Sequence, residues 1–227
     1  MQNIFITGAN RGIGFGFVRN YLDEGAHIWA CYRKNPGQLK EIDSPSLHLL
    51  NWDVTHAIDE HALTAAEVPS SIHLLINNAG VYGPKGDGQN FKQVTPEIMT
   101  EVFDINCIGP LRVAQQLLPR LSRGHATIAN VSSKMGSVAD NTSGGSYAYR
   151  ASKSALLNVS RSMAHDLAGH GILVITLHPG WVRTNMTDGT GLIDVEESVR
   201  GMTKVIADAE VYEPGSFVAC DGKHVPF

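Results

Sequence analysis

A chain of 227 residues, 43% hydrophobic and 18% charged, has the apolar content for a single well-packed domain spanning residues 1–227. Its net charge of -4 gives no electrostatic reason to expect nucleic acid or a membrane surface as a partner, and no apolar run reaches the roughly 18–20 residues that a membrane span needs. Cys31, Cys107 and Cys220 are too widely spaced for a disulfide framework or a metal knuckle, and no secretion signal is visible after Met1, so reduced thiols and a cytoplasmic location are expected.

Ile4-Phe5-Ile6 predicts a strand that ends at Thr7-Gly8, and Phe15, Phe17, Val18, Tyr21 and Leu22 follow at helical spacing. His27 to Tyr32 predicts the second strand, closed by Asn35-Pro36-Gly37, and Leu47 to Asp53 the third, after a connector with room for only a short helix. A helix is expected from about Ile58 to Glu67, then a buried strand from Ile72 to Asn77. Val81 to Lys92 reads as a loop. Thr95-Pro96-Glu97 starts a helix with a capping Thr and a Pro in its first turn, and Pro110 is expected to bend or interrupt it before Leu111 to Leu121 continues. Ala126 to Ser132 is a strand, Tyr149 to about Ala168 a helix with a packing stripe of Leu156, Val159, Met163 and Leu167, and Gly171 to Leu177 the next strand. A loop from Trp181, a helix from Val195 to Ala207 and a short strand at Ser216 to Ala219 complete the chain. Near-continuous apolar strands alternating with helices predict an α/β doubly wound Rossmann fold, with a parallel sheet covered by helices on both faces.

Two stretches are candidates for chemistry, and each taken alone also fits an ordinary glycine loop or helix surface. Thr7-Gly8-Ala9-Asn10-Arg11-Gly12-Ile13-Gly14 lies at the first strand-helix junction, where glycines let backbone N–H groups approach a pyrophosphate and the helix N-terminus favours the anion. Tyr149 and Lys153 lie four residues apart on one face of a helix, so a fixed ammonium stands near a phenol. A phenol with a pKa of about 10 is a poor acid near neutrality, and a drop of two to three pKa units requires roughly 3–4 kcal/mol of preferential stabilisation of the phenolate. The neighbouring cation is expected to supply part of it.

Taken with Asn77-Asn78-Ala79-Gly80, Asn106, Ser132-Ser133 and Pro179-Gly180, these stretches resemble the short-chain dehydrogenase/reductase family in order and approximate spacing, over essentially the whole chain. Tyr147 to Lys153 and the ending Asp221 to Phe227 are most similar to its C-factor and sniffer-type carbonyl reductase branch. The resemblance implies an oxidoreductase in which Tyr149 is the general acid or base at the carbonyl oxygen. Lys153 favours the phenolate and bonds the nicotinamide ribose, Ser133 rather than Ser132 positions the carbonyl, and Asn106 holds a water that links Lys153 to solvent. The interval from Ser133 to Tyr149 is longer than the family's commonest pattern, with 140–145 as the extra loop. Tyr147 stands at the wrong offset from Lys153 to be the acid and reads as a pocket wall or packing residue.

The implied cofactor-binding set is Gly8, Asn10, Arg11, Gly12, Ile13, Gly14, Tyr32, Arg33, Asp53, Val54, Asn78, Ala79, Gly80, Tyr149, Lys153, Pro179, Gly180, Val182 and Thr184. Tyr32 stands where the family's NAD-type Asp would sit, and Arg33, Lys34 and Arg11 suit an extra phosphate, so NADP(H) is favoured over NAD(H). Asp53 borders the adenine or caps the next helix. The ten histidines make no ligand motif, so no metal is expected. The resemblance also implies a homodimer or homotetramer, a small carbonyl or alcohol substrate, and a short lid at about 181–197. The competing reading is a dinucleotide-binding regulator or signalling protein with little turnover, which would have no need of Asn106, Ser133, Tyr149 and Lys153 together.

Overall fold

The structure, a computed structural model, describes residues 2–227. Seven parallel strands form one sheet: β1 (Asn3–Ile6), β2 (His27–Tyr32), β3 (Leu47–Asn51), β4 (Leu74–Asn77), β5 (Thr127–Val131), β6 (Leu173–His178) and β7 (Phe217–Ala219), in the order β3-β2-β1-β4-β5-β6-β7. Six α-helices accompany them: α1 (Gly12–Asp23), α2 (Glu60–Ala65), α3 (Pro96–Phe103), α4 (Gly109–Leu117), α5 (Tyr147–Leu167) and α6 (Val195–Ala207). Among the described residues, no helix is long and apolar enough to cross a membrane.

The strands are apolar almost throughout because both of their faces are covered. Ile4, Ile6, Ile28, Ala30, Leu74 and Ile76 pack on one side with Phe17 and Val18 of α1 and Val199, Met202 and Val205 of α6. The intervening Phe5, Trp29, Leu75 and Ile128 point the other way, onto Leu63 of α2, Val113 and Leu117 of α4 and Met163 of α5. Of the stripe predicted on α5, Met163 belongs to this second layer with Val159 and Leu167 packed at its margin, and Leu156 is fully buried. A row of polar groups crosses the sheet inside it: Asn77 donates to Asn130 Oδ1 at 2.9 Å, and Asn130 donates to Ser160 Oγ at 2.9 Å. Beside Asn130 in register, the Thr176 hydroxyl is fully buried with no partner.

One boundary is corrected. α5 starts at Tyr147, two residues earlier than predicted, because its N-terminal turn is held from outside the helix. The expected interruption at Pro110 is present in the chain's course, with Pro110 in the first turn of α4 directly after a break in the α-helical pattern. The irregularity lies just before it, as a π-helical turn at Asp104–Ile108 that joins α3 to α4 and carries Asn106. Thr95 does cap α3, accepting from the Ile98 N–H at 3.3 Å. The helix expected from Val195 to Ala207 is present as α6, capped by Asp194, and its first turn overlaps the end of the expected lid.

The strand order reverses direction between β1 and β4, so the loops that leave their C-terminal ends diverge and open a crevice. That crevice receives the glycine turn, the Asn78-Ala79-Gly80 segment and the start of α5.

Candidate active site

The glycine turn follows from close packing. Gly8 has φ +63, and a Cβ there would lie 2.7 Å from Ala79 Cα. A Cβ on Gly14 would lie 2.2 Å from the Gly8 carbonyl oxygen and 2.5 Å from Asn78 Nδ2. Asn78 seals the junction by donating to the Thr7 and Gly8 carbonyls at 3.1 and 2.9 Å, while Thr7 Oγ1 accepts from the Asn78 and Ala79 N–H groups, each at 3.1 Å. Arg11, at the start of α1, makes no capping bond, and no acidic residue lies in the first turn, so the helix presents free N–H groups and the positive end of its dipole.

A dinucleotide fits this cradle. Across the crevice from Gly12, the Thr184 methyl would stand 3.6 Å from a Cβ, and Ile13 follows as the second residue of α1. Asn10 donates to the Asn35 carbonyl at 2.9 Å, tying the glycine turn to the basic loop after β2, where Arg33 and Lys34 are exposed and Tyr32 half-buried. Asp53 does not cap the next helix, which Asp59 caps instead. Its carboxylate accepts from Thr55 N and Oγ1 at 3.1 and 2.8 Å, bonds that, with the Arg33 charge, hold it below the usual carboxylate range despite partial burial. Val54 is buried beside it.

Pro179 and Gly180 end β6 and lead into the strap from Trp181 to Asp194. Val182 bridges to Ile193, and the Thr187 hydroxyl donates to the Val182 carbonyl at 2.6 Å while Thr184 caps a short turn. Lys85, from the loop on the opposite wall, pairs with Asp188 and donates to the Asn185 carbonyl, so the strap is tethered over the crevice.

Tyr149 and Lys153 face the same crevice from α5, and both are buried. Lys153 Nζ lies 5.9 Å from the centre of the Tyr149 ring and donates to the Val131 carbonyl at 2.8 Å. A Cβ on Gly80 would lie 3.5 Å from that Nζ, an ordinary contact, and 3.2 Å from Asn106 Oδ1, a tight one, so the segment after β4 runs close against both side chains. Burial moves the two groups in opposite directions: the phenol is pushed up to about 12 and the ammonium down to about 8. The expected lowering of the phenol by the lysine is absent from this structure. Loss of hydration dominates the Tyr149 hydroxyl, the nearby Tyr82 raises it further, and the opposing influence is a hydrogen bond with Ser133.

The two serines separate clearly. Ser132 is buried and donates to the Lys153 carbonyl at 3.1 Å, whereas Ser133 stands beside the phenol and caps the next turn through the Met135 N–H at 3.2 Å. His178 holds that turn as well, its Nδ1 accepting from the Lys134 N–H at 3.2 Å; burial first, and Lys134 second, lower its pKa to about 4, which leaves it a neutral acceptor. Asn106 is fully buried. Its Oδ1 accepts from the Val81 N–H at 2.8 Å, and its Nδ2 donates to the Val81 carbonyl at 2.8 Å and Ser152 Oγ at 3.0 Å. Both amide hydrogens are therefore committed to fixing the Val81 loop and α5, and only an acceptor lone pair is left for water.

Tyr147, expected as a wall or packing residue, is exposed and its ring lies 6.2 Å from that of the exposed Phe91. The extra loop at 140–145 is stapled by Arg150, which donates to Met135 O, Ser143 Oγ and Gly144 O. Sequence reasoning assigns no role to Gln89, Ser146, Arg150, Ser152 or His178: Arg150 and Ser152 lie inside the Tyr147 to Lys153 stretch and His178 precedes Pro179-Gly180, but Gln89 stands in no motif and at no periodic position. Among the described residues, no group of histidines, cysteines and carboxylates can hold a metal.

Known proteins resemble this chain in sequence and in fold. The family model for short chain dehydrogenases matches residues 2–191. C-signal of Myxococcus xanthus is 43% identical over 160 residues, covering 69% of this chain and 93% of that protein. Carbonyl reductase Sniffer of D. melanogaster superposes with a TM-score of 0.90 at 30% identity, covering 100% of both chains. The NADPH-bound carbonyl reductase from chicken fatty liver gives a TM-score of 0.86 at 33% identity, over 100% of this chain and 99% of that one.

Proposed function

This chain belongs to the short chain dehydrogenase family, and we propose that it is a single-domain, NADP(H)-dependent oxidoreductase that interconverts a carbonyl compound and its alcohol, with Tyr149 exchanging the proton. The observation that carries this reading is the convergence of Ser133, Tyr149 and Lys153 on one crevice beside the glycine turn, with Gly80 wedged between Lys153 and Asn106.

NADPH, when bound, supplies the hydride; the side chains orient the reactants and manage one proton. Ser133 donates to the carbonyl oxygen and fixes it next to the Tyr149 hydroxyl. As that oxygen gains alkoxide character it becomes far more basic than a phenolate, so even a phenol with a pKa near 12 gives up its proton. Lys153, anchored on Val131 O, has N–H groups left for a ribose hydroxyl, and its positive charge favours the phenolate that results. Asn106 holds Val81 and α5 in place and offers its spare lone pair to a water on the path to solvent.

Gly8, Asn10, Gly12, Ile13 and Gly14 take the pyrophosphate side, with Asn78, Ala79 and Gly80 opposite. Arg11, Arg33 and Lys34 take the 2′-phosphate, Tyr32, Asp53 and Val54 the adenosine end, and Pro179, Gly180, Val182 and Thr184 the nicotinamide end. The NADPH-bound chicken enzyme and the exposed cations after β2 support this choice. Self-association as a homodimer or homotetramer is part of the reading, and Phe103, Ile108 and Leu118 stay exposed along the α3–α4 rod.

The similarity to C-signal favours one alternative, a dinucleotide-binding signalling protein with little turnover. Both readings are tested by following NADPH oxidation over a panel of aldehydes, ketones and quinones, with NADH in parallel. Turnover with NADPH preferred supports the oxidoreductase; cofactor binding without turnover of any compound supports the alternative, and a preference for NADH refutes the cofactor assignment.

A further inference from the structure

The loop between β4 and α3 carries a buried polar side chain that the chemistry above does not use. Gln89 is only 2% exposed, although Lys85 and Asp87 of the same loop are exposed. Its Oε1 accepts the Tyr149 backbone N–H at 2.9 Å, and its Nε2 donates to the Tyr82 carbonyl at 2.7 Å and the Pro84 carbonyl at 3.1 Å. The partners fix the orientation of the amide, since only its oxygen accepts from an N–H and only its nitrogen donates to two carbonyls.

The Tyr149 N–H is one of the first-turn donors that α5 cannot satisfy internally. Ser146, the residue placed to cap it, has φ 49 and makes no capping bond; its hydroxyl instead meets the Tyr82 hydroxyl at 2.5 Å. Gln89 therefore replaces a local cap with one from a distant loop. That loop also carries Tyr82, whose ring centre lies 4.9 Å from that of Tyr149. One amide thus ties the backbone of Tyr149 to the aromatic wall in front of it.

We propose that Gln89 is a positioning residue that sets the place of the Tyr149 phenol relative to the substrate wall at Tyr82, and so governs turnover rather than cofactor binding. The proposal rests on Tyr149 being the proton donor. A Leu at this position leaves a buried N–H and two carbonyls without partners. A Glu is nearly isosteric: protonated, it keeps the acceptor and one donor; ionised, it points negative charge at two carbonyl oxygens and at the Tyr149 phenol. The ionisable groups facing this position are the phenols of Tyr82 and Tyr149, Lys153 further along α5, and the exposed Lys85 and Asp87 of its own loop.

The test compares the parent, Gln89→Leu, Gln89→Glu and Tyr149→Phe as full chains. It measures kcat and KM on the carbonyl compound that the parent reduces fastest with saturating NADPH, and the NADPH Kd by fluorescence titration. Gln89→Leu is expected to lose about tenfold or more in kcat at every pH, with the NADPH Kd within about twofold of the parent's. Gln89→Glu is expected to behave like the Leu variant at about pH 8 and to recover most of the parent's kcat at about pH 5.5, as its buried carboxyl takes up a proton. The proposal is overturned if Gln89→Leu keeps kcat within about twofold, or if Gln89→Glu shows no recovery at low pH that the parent lacks. Should the Leu variant fail to fold, the pH profile of the Glu variant decides alone. Full turnover by Tyr149→Phe would instead refute the proton-donor assignment, an outcome visible independently of both Gln89 variants.

Discussion

Replacing Lys153 by Met should abolish turnover and yet make the cofactor-free protein more stable at neutral pH. The buried ammonium has its pKa lowered from 10.5 to about 8, with desolvation as the main cause. At 1.36 kcal/mol per pKa unit, holding the charge in that position costs about 3 kcal/mol. Methionine has a similar length and no charge, but it leaves the Val131 carbonyl without its donor, which returns about 1–2 kcal/mol. The expected net gain is about 1–2 kcal/mol at pH 7, a rise in Tm of a few degrees for a chain of this size. The sign of the pH dependence follows from linkage. Between about 8 and 10.5 the unfolded chain binds the proton that the folded chain has released, so the parent gains stability with rising pH while the variant gains nothing from this group. The gap is therefore widest below pH 8 and closes toward pH 10.5. Cys31, raised by burial, opposes the trend above pH 9 in parent and variant alike, whereas Cys107, also raised by burial, loses the lowering influence of the Lys153 charge in the variant, so its contribution adds to the closing of the gap; the difference between the two proteins is the quantity to follow. Urea unfolding across pH 7–10 measures it; a variant less stable than the parent at pH 7, or a pH-independent gap, would refute the reasoning.

Gly14→Ala should cost about 2–4 kcal/mol and remove NADPH binding, because the new methyl meets the backbone Gly8 carbonyl at 2.2 Å, which has nowhere to move; thermal unfolding and cofactor titration read both effects. Thr176→Val should stabilise by about 1 kcal/mol in urea unfolding, since it deletes a fully buried hydroxyl that has no partner and keeps the branched shape. Arg33→Asp should raise the KM for NADPH by about tenfold or more and improve that for NADH, as a charge-assisted phosphate contact is exchanged for repulsion; unchanged discrimination between the two would remove Arg33 from the selectivity argument.

Much of the fold can be read from the chain because its signals are local. The bounds of β2 and α6 follow directly from an apolar run and an amphipathic period with clear stops, and Thr95-Pro96 announces α3. The π-helical turn at Asp104–Ile108 has no such signal, because widening a helix by one residue leaves the pattern of buried positions nearly intact. The position of Pro110, one turn later, is its only trace. At the site, the spacing of Tyr149 and Lys153 and the place of the glycine turn make them candidates, but the family resemblance is needed to choose among the readings and to select Ser133. Their environment is set by burial and long-range contacts. A phenol raised rather than lowered, an Asn106 amide spent on Val81, an Asp53 that caps its own turn and a Gln89 that caps α5 from 60 residues away all depend on which loops meet above the sheet.

The most direct test of the central claim is the rate of NADPH-dependent carbonyl reduction by Tyr149→Phe, measured with bound cofactor confirmed by titration. The phenol's ring packing against Tyr82 survives this change and only the proton is lost. The account predicts that NADPH still binds and that turnover falls by several orders of magnitude. A Phe variant that reduces every substrate of the parent at the parent's rate would contradict it.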